Sequence, residues 1–211
     1  MPLFHKAAFF KSAAKLDQFP ASQGEIAFAG RSNAGKSSAI NVLAGKRLAF
    51  VSKTPGRTQL VNFYALGEGR FLVDLPGYGY SKAPAAARAL WEGLLGAYLQ
   101  TRGPLRGAVV VMDVRQPLTV LDCRMLEWFR PTGRPVHVLL TKADKLSRAA
   151  GGRVLLQVEA ELALLAPNFS AQLFSSLKRL GLEEAEAVLG KWLGPHESAP
   201  GRGRDLAAVP K

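Results

Sequence analysis

Eight residues constrain this chain more than any other stretch: Gly30-Arg31-Ser32-Asn33-Ala34-Gly35-Lys36-Ser37. They fit the pattern G-x-x-x-x-G-K-[ST]. The apolar run 26–29 precedes them and suits a buried parallel strand. Residues 38–43 follow as the first turns of a helix. Strand, glycine-rich loop and helix N-terminus together turn unpaired N–H groups and the positive end of a helix dipole toward one anion. Gly30 and Gly35 allow the backbone to wrap a phosphate without Cβ clashes. Lys36 can reach terminal phosphates as a point charge, and the Ser37 hydroxyl can ligate Mg²⁺. The same loop serves adenine and guanine nucleotides, so it leaves that choice open.

The rest of the chain supplies a scaffold for such a loop. Strands are predicted at about 24–30, 59–66, 70–74, 107–114, 135–140 and 169–174. Helices are predicted at 36–45, 86–101, 119–130, 147–165 and 180–193, with Thr119 and Ser147 placed to cap two of them. Strands alternating with helices imply an α/β, three-layer fold: a six-stranded, mostly parallel sheet with helices on both faces. One antiparallel pair is expected at 59–75, turning at Glu68-Gly69. Residues 24–193 form the domain. Residues 1–23 carry Phe4, Phe9 and Phe10 among Lys6, Lys11 and Lys15, and read as an edge strand or an extension docking on it. Residues 194–211, rich in Pro, Gly and Ala, read as a mobile tail. Two connections stand out: the basic stretch 45–58, with its Pro-Gly pair, and the Gly- and Pro-rich 78–84. Connections this long are often functional.

Charge narrows the partners. Lys and Arg number 28 against 16 Asp and Glu, a formal net charge of +12. That excess suits a polyanion, either nucleic acid or an anionic membrane surface. No apolar run approaches the roughly 20 residues of a membrane span, and the first residues lack a signal-peptide core. A cytoplasmic protein is expected, with any membrane contact peripheral. One cysteine, Cys123, excludes an internal disulfide.

The base is addressed by Thr141-Lys142-Ala143-Asp144, directly after the strand at 135–140, which fits [N/T]-K-x-D. The Asp144 carboxylate can accept from guanine N1–H and the 2-amino group, donors that adenine lacks in that arrangement. Leaving such a carboxylate half-paired costs at least a few kcal/mol, of order 10²-fold in selectivity. The Lys142 stem can lie along the base. Phe174-Ser175-Ser176, after the last strand, can offer a backbone N–H, that of Ser176, to guanine O6. Asp74-Leu75-Pro76-Gly77 closes another strand, where ligands of parallel sheets sit.

These stretches carry a resemblance. The loop at 30–37, Lys53-Thr54-Pro55-Gly56-Arg57-Thr58-Gln59, Asp74-Leu75-Pro76-Gly77-Tyr78-Gly79-Tyr80 and Met112-Asp113-Val114-Arg115-Gln116-Pro117-Leu118-Thr119 are together similar to the EngB (YihA/YsxC) family of TRAFAC-class P-loop GTPases. The likeness runs from about residue 5 to residue 193. It implies a bacterial GTP-hydrolysing switch that acts in assembly of the large ribosomal subunit, with a link to cell division and septation. GTP or GDP is the ligand, Mg²⁺ the cofactor, a large-subunit precursor of rRNA and ribosomal proteins the partner, and a monomer the expected state. Thr58 resembles the threonine that ligates Mg²⁺ and senses the γ-phosphate. Asp74 resembles the acid that holds Mg²⁺ through water, and the Gly77 N–H the γ-phosphate donor. Lys36, Thr58 and Gly77 are thereby the catalytic candidates. The resemblance extends the nucleotide contacts to Ser38, Gly56, Arg57, Leu75, Pro76 and Ala143. Thr141 stands where many GTPases have Asn.

In Ras-like enzymes a water-orienting glutamine follows the glycine corresponding to Gly77. Here Tyr78 follows it, so slow intrinsic hydrolysis is expected, stimulated by a partner or a cation. Asn33 resembles an asparagine that ligates K⁺ in some related GTPases; tying the loop to 45–58 is the equal alternative. Other readings are another translation or tRNA-modification GTPase, a P-loop ATPase or kinase, and a nucleic-acid-binding scaffold with a vestigial site. His5, His137 and His196 lack metal-ligand spacing, and His137 is expected to be packed in a strand. Asp113 and Arg115 suit a local ion pair as well as catalysis. Trp91, Trp128 and Trp192 suit packing. Tyr78 and Tyr80 fall in a predicted mobile loop, where contact with a partner is one of two even readings.

Overall fold

The computed structural model describes residues 3–49, 60–78 and 85–194, with the backbone alone over 85–92. Among these residues seven strands form one sheet. They are β1 (Ala8–Ala13), β2 (Gly24–Gly30), β3 (Val61–Gly67), β4 (Arg70–Asp74), β5 (Leu105–Asp113), β6 (Val136–Thr141) and β7 (Phe169–Leu173). Their order across the sheet is β1-β3-β4-β2-β5-β6-β7. The helices are α1 (Lys36–Leu43), α2 (Ala85–Thr101), α3 (Val120–Phe129), α4 (Arg148–Leu165) and α5 (Leu182–Trp192).

The sheet has one strand more than the six expected. β1 pairs antiparallel with β3, from Ala8 opposite Ala65 to Ala13 opposite Val61, so β3 is antiparallel to both neighbours. Two antiparallel pairings replace the single one expected. A β-bulge between Phe9 and Lys11 twists this edge strand, a common protection of an open edge. The hairpin joining β3 to β4 turns at Glu68 and Gly69, both at positive φ (52° and 67°), as a tight type I′ turn requires.

The central strands β2, β5 and β6 run parallel and are buried almost throughout. Covered on both faces, they need the continuous apolar runs visible in their sequence. One face packs against α2, α3 and α4 through Tyr98, Leu126, Phe129 and Leu162. The other packs against α1 and α5 through Ile40, Leu43 and Leu189, with Phe4 from the N-terminal segment. Buried Glu25 on β2 accepts from the Tyr98 hydroxyl at 3.0 Å and from Arg102 Nε at 3.0 Å. This cluster pins the end of α2 to the sheet, and burial beside the carboxylate pushes the Tyr98 pKa well up. Among the described residues no helix is long and apolar enough to cross a membrane.

Both expected caps form. Thr119 Oγ1 accepts from the Asp122 N–H, and Asp122 answers by accepting from the Thr119 N–H, which makes a capping box. Ser147 Oγ accepts from the Ala150 N–H at 3.3 Å. Parallel β2, β4, β5, β6 and β7 all end on one rim, and the sequence-predicted site residues among the described ones gather there.

Candidate nucleotide site

The phosphate-binding loop leaves β2 at Gly30 and enters α1 at Lys36. Gly30 meets a demand beyond phosphate wrapping: a Cβ there would lie 2.8 Å from the Val111 carbonyl oxygen on β5. Gly35 caps α1 at φ 99°, a conformation suited to glycine. Ser32, Asn33, Gly35, Lys36, Ser37 and Ser38 line a cavity of about 630 Å³ whose far wall carries Asp74, Leu75, Pro76 and Gly77. Inside it Lys36 Nζ makes an ion pair with Asp74, both groups largely shielded from solvent. A polyphosphate would compete for that ammonium and a divalent cation for that carboxylate.

The donor set fits Mg²⁺. Ser37 and Asp74 offer hard oxygens to one cavity. Among the described residues no group of three or more His, Cys, Asp and Glu forms a cage. Mg²⁺ retains several waters and takes phosphate oxygens, so one or two protein ligands suffice. Gly56, Arg57 and Thr58 lie outside the described residues, as does Tyr80.

The second part of the rim is built from the turns after β6 and β7. Phe174 N–H donates to Leu140 O at 2.9 Å, and Ala143 N–H donates to Phe174 O at 3.1 Å, stitching the two turns together. Ser175 Oγ donates to Asp144 Oδ1 at 2.6 Å and accepts from the Lys178 N–H at 3.1 Å. The Ser175 bond holds the Asp144 carboxyl below its ordinary range, so it stays ionised. Asp144, Ser175 and Lys178 border an open depression of about 820 Å³. Ser176 is half-buried beside them.

Two residues join the halves. Thr141 Oγ1 lies 2.5 Å from Ala34 O and 3.0 Å from Met112 O. The threonine thus reaches the phosphate-binding loop from β6, and that tether exists without the asparagine found in many GTPases. Lys142, at φ 58°, extends to Asn33 O at 2.8 Å and Asp113 Oδ2 at 2.9 Å. Asp113 also grips Arg115 Nη2 at 2.6 Å. Hydrogen bonding from Arg115 holds the Asp113 carboxyl well below the usual carboxylate range, with Lys142 adding to it. Asp113 and Arg115 therefore form the local ion pair, shared with the lysine.

One expectation is corrected. Tyr78 is 5 % exposed, and its hydroxyl donates to Asp122 Oδ1 at 2.9 Å. It faces the interior, which removes it as a free contact for a partner. Burial, reinforced by the Asp122 charge, pushes its phenol far above the ordinary value. His137 is packed as expected, with Ser170 Oγ and Gln172 Oε1 each 2.8 Å from its ring nitrogens. Trp128 lies under the Arg124 guanidinium, 5.2 Å from ring centroid to cation. Trp192 packs against the core.

Sequence reasoning missed three contributors. Asn62 on β3 lines the cavity and accepts from Ser12 Oγ at 2.6 Å, bringing the N-terminal strand to the site. Asn41 Oδ1 accepts from the N–H groups of Leu48 and Ala49, both at 2.7 Å, and so shapes the start of the 45–58 connection. Asp122 was legible only as a helix-capping acid. An amide in the middle of an apolar-periodic helix was the one available signal for Asn41.

The shared rim fixes the class: this is a P-loop GTPase. Residues 25–142 match a family model described as a 50S ribosome-binding GTPase. The chain is 61% identical over 197 residues to the probable GTP-binding protein EngB of Dechloromonas aromatica, covering 92% of this chain and 90% of the relative. It is 59% identical to the protein of that name from Methylobacillus flagellatus, covering 95% and 98%. A crystal structure of a probable GTP-binding protein engB shares the fold, with a TM-score of 0.65 at 21% identity over 81% of this chain and 98% of that one. The chain belongs to the EngB family of GTP-binding proteins, and guanine nucleotide is its ligand.

Proposed function

We propose that the chain is a GTP-driven switch acting in assembly of the bacterial large ribosomal subunit, in the cytoplasm. The observation that carries this reading is the pairing of two ends on one rim. Lys36 and Asp74 lie in the cavity at one end, Asp144 and Ser175 stand at the other, and Lys142 bridges toward the phosphate-binding loop. In this reading Lys36 holds the terminal phosphates and Ser37 and Thr58 ligate Mg²⁺. Asp74 holds the ion through water, and Gly77 senses the γ-phosphate. Residues 30–38, 74–77, 141–144 and 174–176 face the nucleotide, and Gly56, Arg57 and Thr58 are assigned to its binding. Asp144 reads guanine. Mg²⁺, when bound, neutralises charge that develops on the phosphates.

Intrinsic hydrolysis is slow on this reading, because the side chain after Gly77 is a phenol engaged with Asp122 and cannot orient a water. A K⁺ ion beside Asn33, exposed at the lip of the cavity, is a finer part of the proposal; equal turnover in KCl and NaCl at matched ionic strength counts against it. The ribosomal partner is supported by the description of the matching family model and by the net charge of +12, which suits a phosphate-rich surface. The test is sedimentation of cell extract with a GTP analogue or with GDP. Enrichment with large-subunit precursors in one nucleotide state is expected. Absence from every ribosomal fraction in both states sinks the reading. Displacement of labelled GDP by ATP as readily as by GTP sinks its nucleotide half.

A further inference from the structure

One fully buried carboxylate gathers partners from three separate stretches of chain. Asp122 has no exposed surface. Its Oδ2 accepts from the Thr119 N–H at 3.0 Å and from the Thr119 hydroxyl at 2.7 Å. Those bonds complete a helix cap, which an exposed acid would also do. Its Oδ1 is used elsewhere, by the Tyr78 hydroxyl at 2.9 Å. Arg31 Nε, from the phosphate-binding loop, stands 3.5 Å from Oδ2. A buried carboxylate is costly without such partners, so the cluster either holds together or loses much of its reason to be buried.

The backbone is tied at the same place. The Tyr78 N–H donates to Gly30 O at 3.2 Å, and the Ser32 N–H donates to Tyr78 O at 3.0 Å. Arg31 and Tyr78 thus form an isolated parallel bridge beyond the ends of β2 and β4. With its side chain drawn toward α3, Tyr78 leaves Gly77 on the cavity wall.

The geometry points to Asp122 as a positioning residue for the switch, one whose bond to Tyr78 keeps Gly77 at the cavity in readiness for a γ-phosphate. This rests on the proposed GTP-switch reading. GDP has no γ-phosphate, so the latch bears on GTP and not on GDP. A device that pre-organises one contact raises affinity only for the ligand that makes it.

The test compares nucleotide affinities of the full chain and of Tyr78→Phe, which keeps the ring and removes the donor. A non-hydrolysable GTP analogue is expected to bind about five- to tenfold more weakly, a part of what one hydrogen bond to a charged group is worth. GDP affinity is expected to stay within about twofold. Asp122→Ala, which removes the acceptor, should act in the same direction on GTP-analogue selectivity, and the double variant should add little to the single ones, because both break one contact. Equal losses for both nucleotides, or unchanged affinities with only a lower melting temperature, overturn the latch and leave a packing contact. Should the wild-type chain bind neither nucleotide, the functional reading fails separately. The latch is then judged by hydrogen exchange at amide 78, where faster exchange in Tyr78→Phe supports it and unchanged protection overturns it.

Discussion

Ser175 donates its hydroxyl to Asp144 Oδ1 at 2.6 Å, joining the turn after β7 to the turn after β6. That bond fixes one carboxylate oxygen, holds the group's pKa below its ordinary value, and leaves the second oxygen with Lys145 at 3.6 Å. If Asp144 reads guanine, Asp144→Asn should lose GTP affinity by of order 10²-fold and gain xanthosine triphosphate, whose ring presents an acceptor where guanine has a donor. Ser175→Ala should weaken GTP several-fold. It should also raise the pH at which affinity falls, because the carboxyl then protonates more readily. Competition titrations at a series of pH values check both. Unchanged GTP affinity in Asp144→Asn removes the residue from the site.

Thr141 offers a second test of how the halves are joined. Its hydroxyl is shared between Ala34 O and Met112 O in a buried setting. Thr141→Val keeps the shape and removes the donor, leaving carbonyl oxygens short of a partner. Denaturant unfolding should show a loss of about 1–3 kcal/mol. Guanine nucleotide affinity should fall as the loop carrying Ala34 loosens. An affinity equal to wild type would mean that the loop holds its shape without β6.

Most of this was readable before the structure, for local reasons. The loop at 30–37, the Thr119 and Ser147 caps and the apolar runs of β2, β5 and β6 are each specified by neighbours in sequence. What escaped depends on distant partners. The sequence left residues 1–23 open between an edge strand and a docking extension; the edge that β3 offers decides for a strand in β1, with Phe9 and Phe10 left more than half exposed. Tyr78 sits between glycines and a proline and so reads as loop, yet it is held by a carboxylate 44 residues away. The phosphate-wrapping role of Gly30 was readable, but not its second one, since the nearest atom to a Cβ there belongs to Val111 on the neighbouring strand.

Lys46 and Arg47, both exposed, are candidates for the contact with the proposed ribosomal partner. They stand where Asn41 shapes the chain leaving α1. Neutralising both, as Lys46→Gln with Arg47→Gln, should weaken binding to large-subunit precursors and leave nucleotide affinity intact. If both meet phosphates, the slope of log affinity against log salt should fall by about one for each charge removed. Pelleting assays across a salt series measure this. An unchanged slope moves the contact to another face.

His137 makes the last prediction, and it links pH to the turn proposed to read the base. Gln172 Nε2 donates to Gly181 O at 2.7 Å, so Gln172 Oε1 is left to face His137 Nε2 at 2.8 Å. That nitrogen must then carry the proton, and Nδ1 must accept from Ser170 at 2.8 Å. Burial pushes the pKa of this neutral imidazole below its ordinary 6.5. As pH falls through 6.5, the unfolded chain takes up a proton that the folded chain resists. Stability is therefore fully present above that pH and declines below it, down to the folded pKa. His137→Gln supplies an N–H to Gln172 without a titrating group. Its unfolding free energy should decline less steeply than wild type between about pH 7 and pH 5. Denaturant titrations of the two proteins decide it: parallel pH profiles would mean that His137 is not the group resisting protonation. Because Gln172 also holds Gly181, which starts α5 just after the Ser175 turn, a Gln172→Ala variant should lose guanine nucleotide affinity at every pH, separating the orientation of the turn from its titration.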